Sequence, residues 1–221
     1  MECFELSADR TVWSIGLDFE RQAASEGYRF VAGIDEVGRG CIAGPVVAAA
    51  CILDLSRPLP DGLNDSKKLT PEKRRTIAAD LRETSLAFAI GQVEPDEIDR
   101  INILEATKKA MLGAIAKLEP AADYLLIDAL RLKSCVLPQK ALIKGDSISM
   151  SIAAASVIAK TYRDELMTSY DMQFPAYGFA EHKGYGCASH YAALREHGPC
   201  RIHRMTFKGV CQEKADAATL F

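Results

Sequence analysis

Four acidic residues in this chain stand where they could act together. Asp35 and Glu36 close an apolar run in "AGIDEVGRGCIAGP" (32–45), Asp128 closes another in "DYLLIDA" (123–129), and Asp146 lies in "IKGDSIS", just before a helical pattern. Each has a local explanation: a strand-end aspartate can begin a turn, and Asp146 is a good N-cap residue. Strand ends of an α/β sheet, however, gather along one edge, where such folds place ligands. Three or four carboxylates there would raise one another's pKa unless a cation sat among them. Oxygen donors without paired His and Cys favour Mg²⁺ or Mn²⁺ over zinc. Neighbouring residues on a flat strand point to opposite faces, so Asp35 and Glu36 reach one ion only if the strand kinks or Glu36 uses its backbone carbonyl.

The glycine-arginine-glycine turn that follows, Gly38, Arg39 and Gly40, satisfies with Ala43 a loose dinucleotide fingerprint. That fingerprint needs a helix to start within the turn, with its N-terminus on the pyrophosphate. Gly44, Pro45 and the strand-like "VVAAACIL" leave no place for one.

Basic residues concentrate locally. Lys67 and Lys68 in "NDSKKL" could hold phosphate oxygens or solvate a helix start. From His182 to Lys208 the chain carries Lys183, Arg195, Arg201, Arg204 and Lys208 against Glu196 alone, with all four histidines. That stretch is either a solvated face or part of a nucleic-acid surface. Lys160 and Arg163 could pair with Asp164 and Glu165 or with nucleic acid, and His203 and Arg204 could pack or contact phosphate. Cys187, His190, His197, Cys200 and His203 have a zinc-like scatter, but "ASHYAALREHG" reads as a helix.

The elements that must position these residues follow from period and punctuation. Residues 28–54 read as two strands joined by a glycine-rich turn, and 85–93 as a third strand. Thr70 as N-cap with Pro71 behind it opens a helix. Apolar spacing of three and four predicts a second helix over 103–118, with Asn102 as cap and Glu105 completing a capping box. Residues 123–129 form a buried parallel strand, and Pro138 marks "LKSCVLPQKALI" as an edge hairpin. A long helix runs from Ser147 to about Met172, and a last one over 188–197. The expected fold is α/β, a mixed sheet flanked by helices with a helical C-terminal part.

The chain has 221 residues, 48% apolar and 26% charged, which suits one well-buried domain and excludes a disordered chain. A net charge of −3 excludes a protein basic all over. No window is apolar enough for a signal peptide or a membrane span, and seven cysteines without CxxC pairs suit reduced thiols, so a cytoplasmic protein without membrane contact is expected.

Taken in order, "GIDEVGRGCIAGPVVAAACIL", "NDSKKL", "LLIDAL", "IKGDSISMSIAAASVIAKTYRD", "HKGYG" and "IHRMTF" resemble ribonuclease HII, the bacterial type 2 ribonuclease H, over residues 28–208. The resemblance implies a ribonuclease H-like catalytic domain at 28–208, between a lead-in segment 1–27 and a tail 209–221. It implies Asp35, Glu36, Asp128 and Asp146 as catalytic ligands of two Mn²⁺ or Mg²⁺ ions. It implies Gly38, Arg39 and Gly40 as readers of a ribose 2′-OH and Tyr185 as a platform for the next deoxyribose, where the alternative is a half-buried aromatic next to a Gly-x-Gly turn. The implied substrates are RNA/DNA hybrids and duplex DNA containing ribonucleotides, cut to 5′-phosphate and 3′-OH ends by a monomer. Rival readings are a hybrid-binding module without turnover, a metal-independent ribonuclease, and a dinucleotide-binding oxidoreductase. Ala129 stands where the family often has glycine, and the terminal "AATLF" could dock on a sliding clamp.

Overall fold

The computed structural model describes residues 15–211. Five strands, β1 (Val31–Val37), β2 (Val46–Ile52), β3 (Ala87–Val93), β4 (Tyr124–Asp128) and β5 (Gln139–Leu142), form one sheet in the order β3-β2-β1-β4-β5. β1 pairs antiparallel with β2, and β2 with β3; β1 pairs parallel with β4, and β4 with β5. The sheet is mixed, as its strand patterns imply.

Helices cover both faces: α1 (Asp18–Ser25), α2 (Pro71–Thr84), α3 (Pro95–Ile101), α4 (Ile103–Ile115), α5 (Met150–Gln173), α6 (Phe179–His182) and α7 (Ala188–His197). Strand β2 explains why two layers are needed. All seven of its residues are buried. Val46, Ala48, Ala50 and Ile52 pack with Ala106, Ala110 and Ala114 of α4, while Val47, Ala49 and Cys51 pack with α2 and the alanine-rich α5. This is the period-two alternation of a strand buried on both sides. Small residues set the spacing: a Cβ on Gly33 of β1 would overlap the Ser151 backbone of α5, and one on Gly91 of β3 would overlap the Ala110 carbonyl of α4.

Several local expectations are met. Thr70 caps α2 by accepting from Lys73 N, and Asn102 caps α4 by accepting from Leu104 and Glu105 N. Others are corrected. The Glu105 carboxylate accepts from Lys108 Nζ at 2.7 Å, so that side chain serves an ion pair. Residues 132–143 hold one strand, β5, and no hairpin; Pro138 precedes it, as a residue lacking an N–H can. The long helix begins at Met150 with Ser149 as its cap, so Asp146 lies in a separate 3₁₀ turn, Gly145–Ser147, and does not cap α5. The short helices α1 and α3 have no counterpart among the expected elements. Buried Glu20 of α1 accepts from Ser149 Oγ, Ser151 N and Ser151 Oγ, which ties α1 to the start of α5.

Candidate active site

The sheet register brings the acidic residues together. Ile34 of β1 pairs with Ile127 of β4, so Asp35 and Asp128, one residue further along parallel strands, stand side by side at the same edge. β5 ends level with Asp128, and the turn after it returns Gly145 N to the Asp128 carboxylate at 2.7 Å. That turn carries Asp146, which is buried and accepts from Lys67 Nζ at 3.0 Å. Lys67 and Lys68 are both exposed, on a 3₁₀ turn Ser66–Lys68 capped by Asp65. Arg74 of α2 steadies this turn by donating to Ser66 O and Leu69 O while pairing with Asp164 of α5.

Glu36 sits differently. The β1–β2 register runs unbroken through Asp35↔Ala49, Glu36↔Ala48 and Val37↔Val47, yet the Glu36 carboxyl stays close enough for its charge to raise Asp35 and for the charge of Asp128 to raise it. Glu36 Oε1 accepts from Arg39 at 3.0 Å, and its buried Oε2 has no hydrogen-bond partner among the described residues.

The electrostatics are those of crowded acids. The Asp35 carboxyl is pushed up to about 8, by burial first and then by the charges of Glu36 and Asp128, against a hydrogen bond from Ser156. Burial likewise raises Glu36, against the pull of Arg39, and raises Asp128, against Gly145 N–H, with Asp146 adding repulsion. Burial draws the Lys67 ammonium down, but its contact with Asp146 and the charges of Asp65 and Asp35 outweigh that and hold it above its ordinary value.

Among the described residues, no three His, Cys, Asp or Glu side chains form a ready cage for a metal ion. Asp128, Asp146 and Glu36 spend donors on Gly145, Lys67 and Arg39. The donor chemistry still fits a hard divalent cation. All the donors are oxygens, burial and neighbouring charges raise the Asp35 carboxyl, and Glu36 Oε2, which lacks a hydrogen-bond partner among the described residues, is an atom a cation would satisfy. Bound there, it would relieve the strain the carboxylates impose on one another.

The loop after β1 is braced from below by two arginines whose roles the sequence conceals. Arg163 and Arg204 are fully buried. Arg163 donates to Pro45 O, Lys183 O and Ala43 O at 2.8–3.0 Å, and Arg204 donates to Gly44 O, Arg39 O and Gly38 O at 2.7–3.1 Å. Five of these six bonds take carbonyls of the curved loop 38–45, and the sixth takes Lys183 O beside it. Gly38, at φ +89°, lies against Arg163, and a Cβ there would overlap Nε; at Gly40 a Cβ would meet open space. The expected salt bridge of Arg163 is therefore replaced by carbonyl bracing, whereas Lys160 pairs with Asp164 at 2.7 Å.

Tyr185 joins the same unit. Cys41 and Tyr185 form an antiparallel bridge, Ile42 N donates to Gly184 O, and Gly44 N donates to Ile202 O. Tyr185 is 45% exposed, with Lys160 Nζ 6.0 Å from its ring centre. Backbone bonds thus tie Cys41 and Ile42, directly after Gly38, Arg39 and Gly40, to Gly184 and Tyr185. The structure does not bring the scattered cysteines and histidines together as a zinc site: the His190 and His203 Nε2 atoms face each other at 3.0 Å, and His197 lies elsewhere, near exposed Glu196. The cysteines described, Cys41, Cys51, Cys135, Cys187, Cys200 and Cys211, are free thiols. Ala129 has φ +51°, so the glycine of the related pattern would relax a left-handed position here. The terminal "AATLF" lies outside the described residues.

Comparisons with known proteins agree with the motif pattern. A family model described as Ribonuclease HII matches residues 32–210. A ribonuclease HII of Geobacter metallireducens is 51% identical over 212 residues, covering 96% of this chain and 97% of that one. RNase HII of Archaeoglobus fulgidus, solved as a complex with PCNA, superposes with a TM-score of 0.71 at 27% identity, over 85% of this chain and 99% of that one. Bst-RNase HIII in complex with Mn²⁺ shares the fold, with a TM-score of 0.63 at 22% identity over 85% and 70% of the two chains.

Proposed function

The chain belongs to the ribonuclease HII family, a family of ribonuclease H-type nucleases, and from that premise we propose that it cuts next to ribonucleotides embedded in duplex DNA and within the RNA strand of RNA/DNA hybrids. The observation that carries the reading is the junction of two units: the acidic edge of Asp35, Asp128 and Asp146 leads directly into a braced glycine loop bridged to exposed Tyr185.

Asp35, Glu36, Asp128 and Asp146 hold divalent ions, Mn²⁺ or Mg²⁺, and a solved relative of the same fold carries Mn²⁺. Such ions, when bound in a pair, acidify a water and screen the charge that builds on the phosphate and the departing 3′ oxygen. The protein's own part is positional. Asp35 passes from protonated to charged as it becomes a ligand, Lys67 stands beside Asp146 to meet a phosphate oxygen, and Lys68 adds a second exposed cation. Among the described residues no hydrogen bond uses the N–H of Arg39 or Gly40, and Gly40 leaves open space in front of it. A 2′-OH is both donor and acceptor, so close backbone groups can separate RNA from DNA. Tyr185 offers a flat face to a sugar lacking that hydroxyl. The cut falls on the 5′ side of the RNA-to-DNA junction and leaves 5′-phosphate and 3′-OH ends.

The protein acts as a monomer in the cytoplasm, in ribonucleotide excision and replication. A clamp contact through the C-terminal tail is part of the proposal, since the Archaeoglobus relative was solved with PCNA. The test is nicking of a DNA duplex bearing one ribonucleotide, with Mn²⁺ and with EDTA, by wild type and Asp128→Asn. Metal-dependent nicks lost in Asp128→Asn are expected. Unchanged nicking by the variant, or cyclic phosphate ends in EDTA, would defeat the proposal.

A further inference from the structure

The histidines that do not form a zinc site form something else. His203 Nδ1 lies 3.0 Å from Cys200 N. A backbone N–H can only donate, so this Nδ1 carries no proton, and His203 holds its proton on Nε2. His203 Nε2 is 3.0 Å from His190 Nε2, which must then accept. His190 keeps its proton on Nδ1, 2.9 Å from the Tyr185 carbonyl. With the Cys200 N–H bond made, the order runs one way, Cys200 N–H to His203, His203 to His190, and His190 to Tyr185 C=O; His203 Nδ1 also lies 3.2 Å from Cys200 Sγ and 3.3 Å from Cys200 O, a carbonyl that already accepts from His203 N.

The surroundings preserve this order. His190 and His203 are almost fully buried, Phe179 packs edge-on to His190, Tyr177 tilts against His203 at 4.9 Å, and His182 stacks on His190 at 4.2 Å. Burial drives both imidazoles down to about 4, so each carries a single ring proton at neutral pH. The end of the chain of bonds is functional. Tyr185 is pinned through its backbone, with its N–H given to His182 O and its carbonyl taken by Cys187 N and His190 Nδ1, while its ring remains outside the core.

We infer that His190 and His203 are positioning residues, a one-directional hydrogen-bond relay that fixes the backbone beneath Tyr185 and thereby sets the enzyme's preference for deoxyribose beside the scissile bond. The inference rests on the reading of Tyr185 as the sugar platform. Neither histidine touches substrate; they act through the placement of one ring, and small misplacements of such groups cost rate.

Two measurements test it on the full-length protein. Imidazole ¹⁵N NMR of wild type at pH 7 should find His190 protonated on Nδ1 and His203 on Nε2; the opposite tautomers would overturn the relay. The second reads the ratio of cleavage at an RNA-to-DNA junction to cleavage of an all-RNA/DNA hybrid. His190→Ala should lower this ratio roughly fivefold or more. His190→Asn, which returns an N–H donor near the position of Nδ1, should restore it. A purely structural role would lower both activities together and leave the ratio fixed. Tyr185→Ala separates the two levels. If it lowers the ratio while His190→Ala does not, the relay is wrong; if it leaves the ratio unchanged, the reading of Tyr185 falls, and this inference with it.

Discussion

Adding one methyl group at Gly38 should do far more harm than adding it two residues later. At φ +89° a residue with a Cβ is strained by about 1–3 kcal/mol. The new carbon would also overlap Nε of Arg163, a buried guanidinium whose three bonds hold Ala43, Pro45 and Lys183. Hydrogen bonds from charged groups contribute about 1.5–3 kcal/mol each, so losing even one brings the expected cost of Gly38→Ala to about 2.5–6 kcal/mol. That is a large share of the roughly 5–15 kcal/mol that keeps a domain folded. Gly40→Ala meets no atom, and its stability should stay within about 1 kcal/mol of wild type. Its methyl would nonetheless stand in the open space where a ribose must approach, so cleavage of ribonucleotide-containing duplexes should fall in a protein that folds normally. Urea denaturation of the three proteins, paired with a nicking assay, reads both effects. Equal stability of the two variants would refute the arginine-brace account of the loop.

Two further predictions concern pH and have opposite signs. The folded pKa of Asp35 is raised to about 8, so its contribution to stability is present at pH 4 and is lost as pH rises towards 8. In EDTA, wild type should therefore lose more stability than Asp35→Asn between pH 5 and pH 8, with Mn²⁺ restoring the difference; parallel profiles would contradict the crowding of the carboxylates. His190 and His203 have folded pKa values lowered to about 4, so the unfolded chain binds more protons below about 6.5 and stability falls as pH drops. The loss should be no more than about 3 kcal/mol per imidazole between pH 6.5 and pH 4, and it should be flatter in the doubly substituted His190→Asn, His203→Gln protein; an unchanged slope in denaturant titrations would count against it.

Much of this site was legible in the chain because its parts obey local rules. Asp35 and Asp128 end apolar runs, and runs of that kind become the central parallel strands whose ends coincide. The helix at 188–197 and the caps Thr70 and Asn102 follow from period and side-chain chemistry. What the sequence conceals depends on contacts between distant segments. A buried arginine is improbable by composition, and nothing near Arg163 or Arg204 announces that five loop carbonyls and Lys183 O await them. The scattered histidines suggested metal spacing, whereas their actual bonding required knowing that His190 and His203 face each other. Pro138 signalled an edge correctly, but an edge strand needs only one residue run, and β5 pairs with β4 rather than with its own preceding segment. Glu36 lies between these cases: the alternation rule left open whether its carboxylate or its backbone carbonyl would serve, and the structure has the carboxylate paired with Arg39 on a strand of unbroken register.

The central claim is that one surface recognises a ribose and positions the phosphate beside it for metal-assisted hydrolysis. The most direct measurement is nucleotide-resolution mapping of cleavage on two matched DNA duplexes, one all-deoxy and one with a single ribonucleotide, in Mn²⁺, by wild type and Asp35→Asn. The account predicts a single cut on the 5′ side of the RNA-to-DNA junction, a 3′-OH end, no cutting of the all-deoxy duplex, and loss of the cut in Asp35→Asn. Cutting of both duplexes alike, or a cut that persists without the Asp35 carboxylate, would contradict it.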